Sequence, residues 1–263
     1  MESDQLKRAF ERDGHVALRG AFDVAASARM SEAIWQYIEH HTEVRRDDRT
    51  TWPTAWFPIS FKRLKRNPAF TAALDNPTTR TTLDQIFGAS SWHASKSGAQ
   101  ILVTFPNATK ESWRVPSDLW HMDTSFGPVA PLRSVKLFSV VEALPPRGGA
   151  TMVITGTHSL QAEYARQIAP HHQSGQRGNW HRFLKHTDPW LAGLTNDRGE
   201  VDRNSNYLTE PHTISDRPVQ IRELCGAPGD THLTHINLFH SVSANANDRP
   251  RIVVTHHVQT GVR

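Results

Sequence analysis

From residue 99 onward the chain is cut into short apolar runs separated by proline and glycine. That texture narrows the fold more than any other feature. Ile101-Leu102-Val103-Thr104-Phe105 is stopped by Pro106. Val135 to Val141 is a second run, Pro145-Pro146-Arg147-Gly148-Gly149 a turn, and Thr151-Met152-Val153-Ile154 a third run. Short runs of β-formers bounded by turn residues read as strands. Further strands are expected at 218–224, 230–239 and 251–259. Many short strands of this kind predict an antiparallel double sheet of the jelly-roll type, a cupin-like double-stranded β-helix.

The N-terminal part reads differently. Residues 4–12 put Leu6 and Phe10 at helical spacing, with Gly14 placed to end the helix. Val16-Ala17-Leu18-Arg19 is a short strand. Asp23 can cap a second helix with Met30, Ile34, Tyr37 and Ile38 on one face. Asn67-Pro68 and Asn76-Pro77 are two cap-then-proline starts, opening short helices through Leu74 and Phe87, with Gly88 closing the second. The expected class is mainly β with flanking helices packed outside a sheet. Residues 160–215 break the strand rhythm. After a helix from about Leu160 to Ile168 comes a polar stretch carrying His171, His172, His181, His186, Trp180 and Trp190. A segment this long and irregular reads as a lid or insert, with disorder as the alternative, on a single domain spanning 1–263.

Bulk properties exclude several classes. A chain of 263 residues with 37% hydrophobic and 21% charged content can build a globular core. No apolar run approaches the ~18–20 residues of a membrane helix, and Met1-Glu2-Ser3-Asp4 lacks a signal-peptide pattern. The single cysteine, Cys225, allows no internal disulfide and fits a reducing compartment, so the expectation is a cytoplasmic protein. The net charge is +4, but the basic pairs Arg45-Arg46, Lys62-Arg63 and Lys65-Arg66 are scattered. That is a solvated surface rather than the concentrated basic face of a nucleic-acid binder. Neither nucleic acid nor membrane is expected as a partner.

Chemistry points to Trp120-His121-Met122-Asp123-Thr124. On an extended segment, His121 and Asp123 share one face. With a third ligand from far along the chain, placed at His240, two imidazoles and a carboxylate would hold one face of a metal and leave the opposite face open, as in non-haem iron oxygenase centres. The triplet alone is weak evidence in a chain with 16 histidines and 26 acidic residues. A second one, His186-Thr187-Asp188, is present.

The order of three motifs decides between the triplets. Trp120-His121-Met122-Asp123 comes first. Gly148-Gly149-Ala150-Thr151-Met152-Val153-Ile154-Thr155-Gly156-Thr157-His158 follows. Gly229-Asp230, His240, Asn245 and Asp248-Arg249-Pro250-Arg251 complete the set. Together they resemble the phytanoyl-CoA dioxygenase family of Fe(II)- and 2-oxoglutarate-dependent oxygenases, over roughly residues 99–158 and 221–259. The resemblance implies that His121, Asp123 and His240 hold Fe(II). It also implies that Arg251, rather than Arg249, pairs with the distal carboxylate of 2-oxoglutarate, and that Gln100 and Phe138 line the cosubstrate pocket. Many relatives carry a cosubstrate-binding serine where this chain has Val242. In related halogenases a small residue replaces the carboxylate, so Asp123 favours hydroxylation or another oxidation. The implied reaction uses O2, oxidises a small molecule and releases succinate and CO2. His186-Asp188 falls where the family pattern has no ligand pair. His158 reads as part of a structural turn and His235 as a packed residue. His256 and His257 fall in the last strand.

A carboxylated metabolite, amino-acid derivative or natural-product intermediate is the expected substrate, from Trp113, Arg114 and Trp120 beside the metal motif and Trp180, Arg182 and Trp190 on the insert. The same tryptophans equally suit a core. Two other functions remain open to the residues alone. One is a zinc-dependent hydrolase on the same ligands, although the short His-Glu-x-x-His helix is missing. The other is a non-enzymatic basic binding module.

Overall fold

The computed structural model describes residues 2–54, 57, 59–124, 132–168, 178–196 and 202–260. His171 and His172 lie outside the described residues. In chain order the elements are α1 (Glu2–Asp13), β1 (His15–Leu18), α2 (Val24–His41), α3 (Pro77–Phe87), β2 (Trp92–Ala94), β3 (Gln100–Thr104), β4 (Ser134–Val140) and β5 (Thr151–Ile154). Then follow α4 (Thr157–Ile168), α5 (Gly178–His186), α6 (Pro189–Leu194), α7 (Arg203–Leu208), β6 (His212–Ile214), β7 (Arg217–Val219), β8 (Ile221–Glu223), β9 (Thr231–His235), β10 (His240–Val242) and β11 (Arg251–Thr260).

The N-terminal helices follow their capping chemistry. Asp23 accepts the Ala25 amide at 2.9 Å to start α2, and Met30, Ile34 and Ile38 form its fully buried stripe. Asn76 caps α3 by accepting the Thr79 amide, and Gly88 ends it at φ +93°, a conformation that favours glycine. The segment after Asn67 is a 3-10 helix over Pro68–Ala73 rather than an α-helix.

Two antiparallel sheets make the jelly roll. The larger has the order β1-β9-β4-β11-β2, with β3 also paired to β11. The smaller has the order β10-β5-β8. Alternation along the strands of the larger sheet sorts its residues to two faces. Val135, Leu137, Leu233, Ile252 and Val254 face outward and pack with α1, α2 and α3 into one core cluster. Phe138, Val140 and Val253 face inward and meet Val153 and Leu238 between the sheets. Met152 and Ile154 pack on the other side of the smaller sheet, against Leu160, Phe183 and Leu191 from α4, α5 and α6. The layers therefore run helices, sheet, interior, sheet, helices, and the interior is where a site can be held rigidly.

Three sequence expectations need correction. The run expected as one strand over 230–239 holds only β9, and the next strand, β10, belongs to the other sheet. The first ends at His235, the chain turns where the Leu238 amide donates to the His235 carbonyl at 2.9 Å, and it resumes as β10 in the smaller sheet. The run over 218–224 is divided into β7 and β8. Beyond residue 168 the segment is less irregular than its polarity suggested, because α5, α6 and α7 form there. Asp188 caps α6 by accepting the Trp190 amide at 2.7 Å, and Asp202 caps α7 through the amides of Asn204 and Ser205. No helix among the described residues is long and apolar enough to cross a membrane.

Among the described residues, buried histidines tie the fold to pH. His15 and His235 are pushed down to about 3, and His232 and His256 to about 4, in each case chiefly by burial. His15 and His232 also stack, with ring centroids 5.3 Å apart. Each folded pKa lies below its unfolded value near 6.5, so the unfolded chain binds more protons in between. Stability from these groups is complete above about pH 6.5 and is lost as pH falls toward 3–4. Thermal melts should show Tm constant from pH 8 to 7 and dropping steeply below 6. The expected slope is up to about 1.4 kcal/mol per pH unit for each histidine. A Tm flat from pH 7 to 4.5 would contradict this.

Candidate metal centre

The site assembles where the two sheets face each other. His121 is not in a strand of its own but forms an isolated antiparallel bridge with His240. Each donates its amide to the other's carbonyl at 2.9 Å. This bridge, rather than an extended strand carrying both His121 and Asp123, sets the geometry, since Asp123 lies in a bend. The turn before it is tight, with Leu119 at φ +57°, the left-handed region that costs a branched side chain energy and tends to persist at functional sites.

Donor atoms of His121, Asp123 and His240 all lie within 4.8 Å of one another, the one such cluster among the described residues. The imidazole rings are 4.3 Å apart, and His240 Nε2 is 3.5 Å from Asp123 Oδ2. Both histidines are oriented in the same way. His121 Nδ1 donates to the Leu119 carbonyl at 2.7 Å and His240 Nδ1 to the Leu238 carbonyl at 3.0 Å. A carbonyl can only accept, so each Nδ1 carries the proton and each Nε2 presents a lone pair. Burial holds the His240 pKa down to about 4, against the opposing pull of Asp123. The imidazole is thus neutral and ready to ligate near pH 7. The Asp123 side chain is only 19% exposed, and what solvent reaches at this residue is mainly its backbone. Burial alone would raise its pKa, yet His240 and Lys136 outweigh that and lower it.

Arg251 is buried at 3% exposure, at the start of β11. Arg249, two residues earlier, is exposed. Asn245 sets this register. Its side-chain amide donates to the carbonyls of Thr104 at 3.0 Å and Arg249 at 2.8 Å, tying down the turn that leads into β11. Arg251 does not reach the site as the hairpin partner of His240. It pairs with Thr104 of β3, while His240 pairs with Val153 of β5, so the two stand in different sheets. Its Nη2 donates to Thr151 Oγ1 at 2.7 Å, and its Nε has no partner. Burial lowers its pKa to about 10. Among the described residues no carboxylate pairs with this guanidinium. A buried cation with an unsatisfied donor calls for an anion.

Phe138 is buried on β4, with its ring 6.4 Å from that of His240 and at 73° to it. Gln100 stands opposite Thr255, whose hydroxyl donates to Gln100 Oε1 at 3.4 Å. Val242 is 41% exposed and pairs with Thr151. The sequence reading missed Thr151, which supplies a hydroxyl beside Arg251, and Lys136. The signal for Lys136 was present, as the one charge inside the apolar run Val135–Val141.

Other candidates fall elsewhere. Asp188 is occupied as a helix cap and by His212 Nε2 at 3.1 Å, and it forms no three-ligand cluster with His186. His158 opens α4 and donates Nε2–H to the Glu11 carbonyl at 3.1 Å. His235 packs between Phe10 and His158. Trp113 and Trp120 are core residues, with indole N–H groups satisfied by the Ala244 and Pro116 carbonyls. Trp190 stacks on His212. Trp180 of α5 is different. Its ring stands 6.4 Å from that of His121, and its buried Nε1 has no partner. Arg114 and Arg182 are exposed.

Comparison with known proteins decides the family. Residues 10–253 match the family described as phytanoyl-CoA dioxygenase. The chain belongs to the phytanoyl-CoA dioxygenase family. Its members are non-haem enzymes that use Fe(II), 2-oxoglutarate and O2 and act on small molecules. That membership sets aside the binding-module reading. No curated protein matches the chain. Solved structures share the fold. The non-heme alpha ketoglutarate dependent epimerase SnoN from nogalamycin biosynthesis is 16% identical, with 98% of this chain and 83% of that one covered and a TM-score of 0.57. AviO1 from Streptomyces viridochromogenes Tue57 is 16% identical, with 99% and 96% covered and a TM-score of 0.57. EctD from S. alaskensis, solved with bound Fe, is 15% identical, with 97% and 76% covered and a TM-score of 0.55. At these identities the likeness establishes the fold.

Proposed function

We propose that the chain is an Fe(II)- and 2-oxoglutarate-dependent dioxygenase that hydroxylates or otherwise oxidises a small-molecule metabolite. The observation that carries this reading is Arg251, a fully buried guanidinium with an unsatisfied Nε, in the same interior as the His121–Asp123–His240 donor set. Two imidazoles that present Nε2 and one carboxylate suit ferrous iron, and a planar buried guanidinium suits a carboxylate. The residues present therefore fit both groups. Bound iron and 2-oxoglutarate supply the oxidising chemistry with O2, with succinate and CO2 as coproducts.

The side chains bind, orient and exclude. His121, Asp123 and His240 would hold the metal, with Nδ1–carbonyl bonds fixing both rings. Arg251 and Thr151 would receive the distal carboxylate of 2-oxoglutarate. Phe138 and Val253 form the apolar wall that keeps water from it, and Gln100 stands at the rim. Segment 160–215 serves as the lid or insert of a single domain, and Trp180 is the residue it delivers toward His121.

The test is succinate release from 2-oxoglutarate by protein reconstituted with Fe(II). Turnover should need both iron and O2, be lost with zinc, and rise severalfold when a substrate is present. Turnover retained in zinc and independent of 2-oxoglutarate would favour the hydrolase reading instead.

A further inference from the structure

The outer face of the larger sheet carries a cavity that the metal centre does not use. Neighbouring residues of a strand point to opposite faces. His257 of β11 looks toward Lys136 and Asp123, while His256 shares the outward face of Ile252, Val254 and Val258. The strand beside β11 is interrupted at this point. β3 pairs with β11 as far as Thr255, and β2 takes over at Val258. Between them residues 95–99 leave the sheet. The Ser95 amide donates to the His257 carbonyl at 2.8 Å and the Ala99 amide to the Lys65 carbonyl at 2.9 Å, which pins the loop at both ends. Gly98 permits this at φ +75°, since a Cβ there would stand 2.8 Å from the Lys65 carbonyl oxygen. A cavity of about 700 Å³ opens between this loop, the 3-10 helix Pro68–Ala73 and α3. That is the size of a small-molecule site.

The lining is sorted by depth. Phe70, Ala99 and His256 are its buried members, so the floor is apolar apart from one imidazole. His256 Nδ1 is buried there with no hydrogen-bond partner. Arg66, Arg80 and Lys96 are exposed and Lys65 is half-buried, which puts the cations at the rim. The two carboxylates of the lining are already engaged. Asp75 accepts from Arg80 Nε at 2.6 Å and Asp84 from Trp92 Nε1 at 2.7 Å. Lys65, Arg66 and Lys96 form no ion pair among the described residues, so the rim keeps a positive excess. An unsatisfied buried nitrogen costs free energy until a partner reaches it, and unpaired cations around one mouth attract an anion.

We propose that this cavity is a second ligand site and that it takes a small organic anion. The apolar body of the ligand lies on Phe70, its carboxylate or other oxyanion meets Lys65, Arg66 and Lys96, and a second polar group reaches His256. The sheet separates this site from the metal centre, so its occupancy needs no iron.

The test is a ligand-observed NMR titration of the full chain without added metal. The probe is 4-hydroxybenzoate, with a carboxylate and a hydroxyl at opposite ends of an apolar ring. Its uncharged match is 4-hydroxybenzamide, and benzoate is its match without the hydroxyl. Wild-type protein should bind 4-hydroxybenzoate at least about tenfold more tightly than the amide, and more tightly than benzoate. Lys65→Met/Lys96→Met should lose the preference for the acid over the amide. His256→Leu should keep that preference and lose the preference for the hydroxyl. Arg251→Ala should bind the probe as wild type does. Acid and amide binding alike in wild type, or neither binding, overturns the site. So does a charge preference unchanged in the double lysine variant, or a hydroxyl preference unchanged in His256→Leu. Binding lost in Arg251→Ala would assign the probe to the cosubstrate pocket and overturn it too. The lysine pair stands at the rim and decides the matter if His256→Leu does not fold.

Discussion

His121→Ala should abolish iron-dependent turnover and weaken Fe(II) binding by more than about 100-fold, the upper range for losing an outer-shell partner of a metal ligand. The reason is geometric. The His121–His240 bridge brings the three donors to within 4.8 Å, and His121 is one of only two nitrogen donors in the set. Its ring is already fixed by the Leu119 carbonyl, so little ordering entropy is spent on binding. Anaerobic equilibrium dialysis against Fe(II) measures the loss. His186→Ala should leave binding and turnover intact, because His186 ends α5 away from any three-ligand cluster among the described residues. The reverse pattern would move the site to that helix.

Arg251→Ala should raise the KM for 2-oxoglutarate roughly 100-fold, about 3 kcal/mol, the scale of a charge-assisted pair in a buried site. The Arg251 donors are desolvated and one of them is unsatisfied, so the anion meets little competition from water. Thr151→Val removes only the neighbouring hydroxyl, and its effect should be smaller. Arg249→Ala should leave KM unchanged, since that side chain faces solvent. Succinate release at varied 2-oxoglutarate separates the three. An effect from Arg249 equal to that of Arg251 would mean the register of β11 is wrong.

Legibility in the sequence followed the physics of each segment. Strands β3, β4, β5 and β11 were readable because turn residues bracket their apolar runs. The break between β9 and β10 was not, since Thr231 to His240 carries neither proline nor glycine. The chain changes sheets there through a turn that only tertiary packing requires. Helix α6 was missed although Asp188-Pro189 has the same cap-then-proline form as Asn67-Pro68 and Asn76-Pro77. Its polar surroundings and the competing His-x-Asp triplet masked it. The candidate ligands could be named from motif order, but their contact could not, because it depends on a bridge between residues far apart in sequence. Lys136 was hidden for the opposite reason. A lone charge in an apolar strand looks like a solvated residue until the fold shows it pointing inward at Asp123. Of four tryptophans with similar sequence surroundings, only packing could separate Trp180 beside His121 from Trp113 and Trp120 in the core and Trp190 against His212.

The central claim is that one interior holds both a ferrous site and a 2-oxoglutarate site. Anaerobic titration of the Fe(II)-loaded protein with 2-oxoglutarate, followed by visible absorption, tests both at once. The account predicts a metal-to-ligand charge-transfer band that saturates in wild type, is absent at the same concentration in Arg251→Ala, and returns in that variant at roughly 100-fold higher 2-oxoglutarate. No band at any concentration, in protein shown to be folded and iron-loaded, would contradict it.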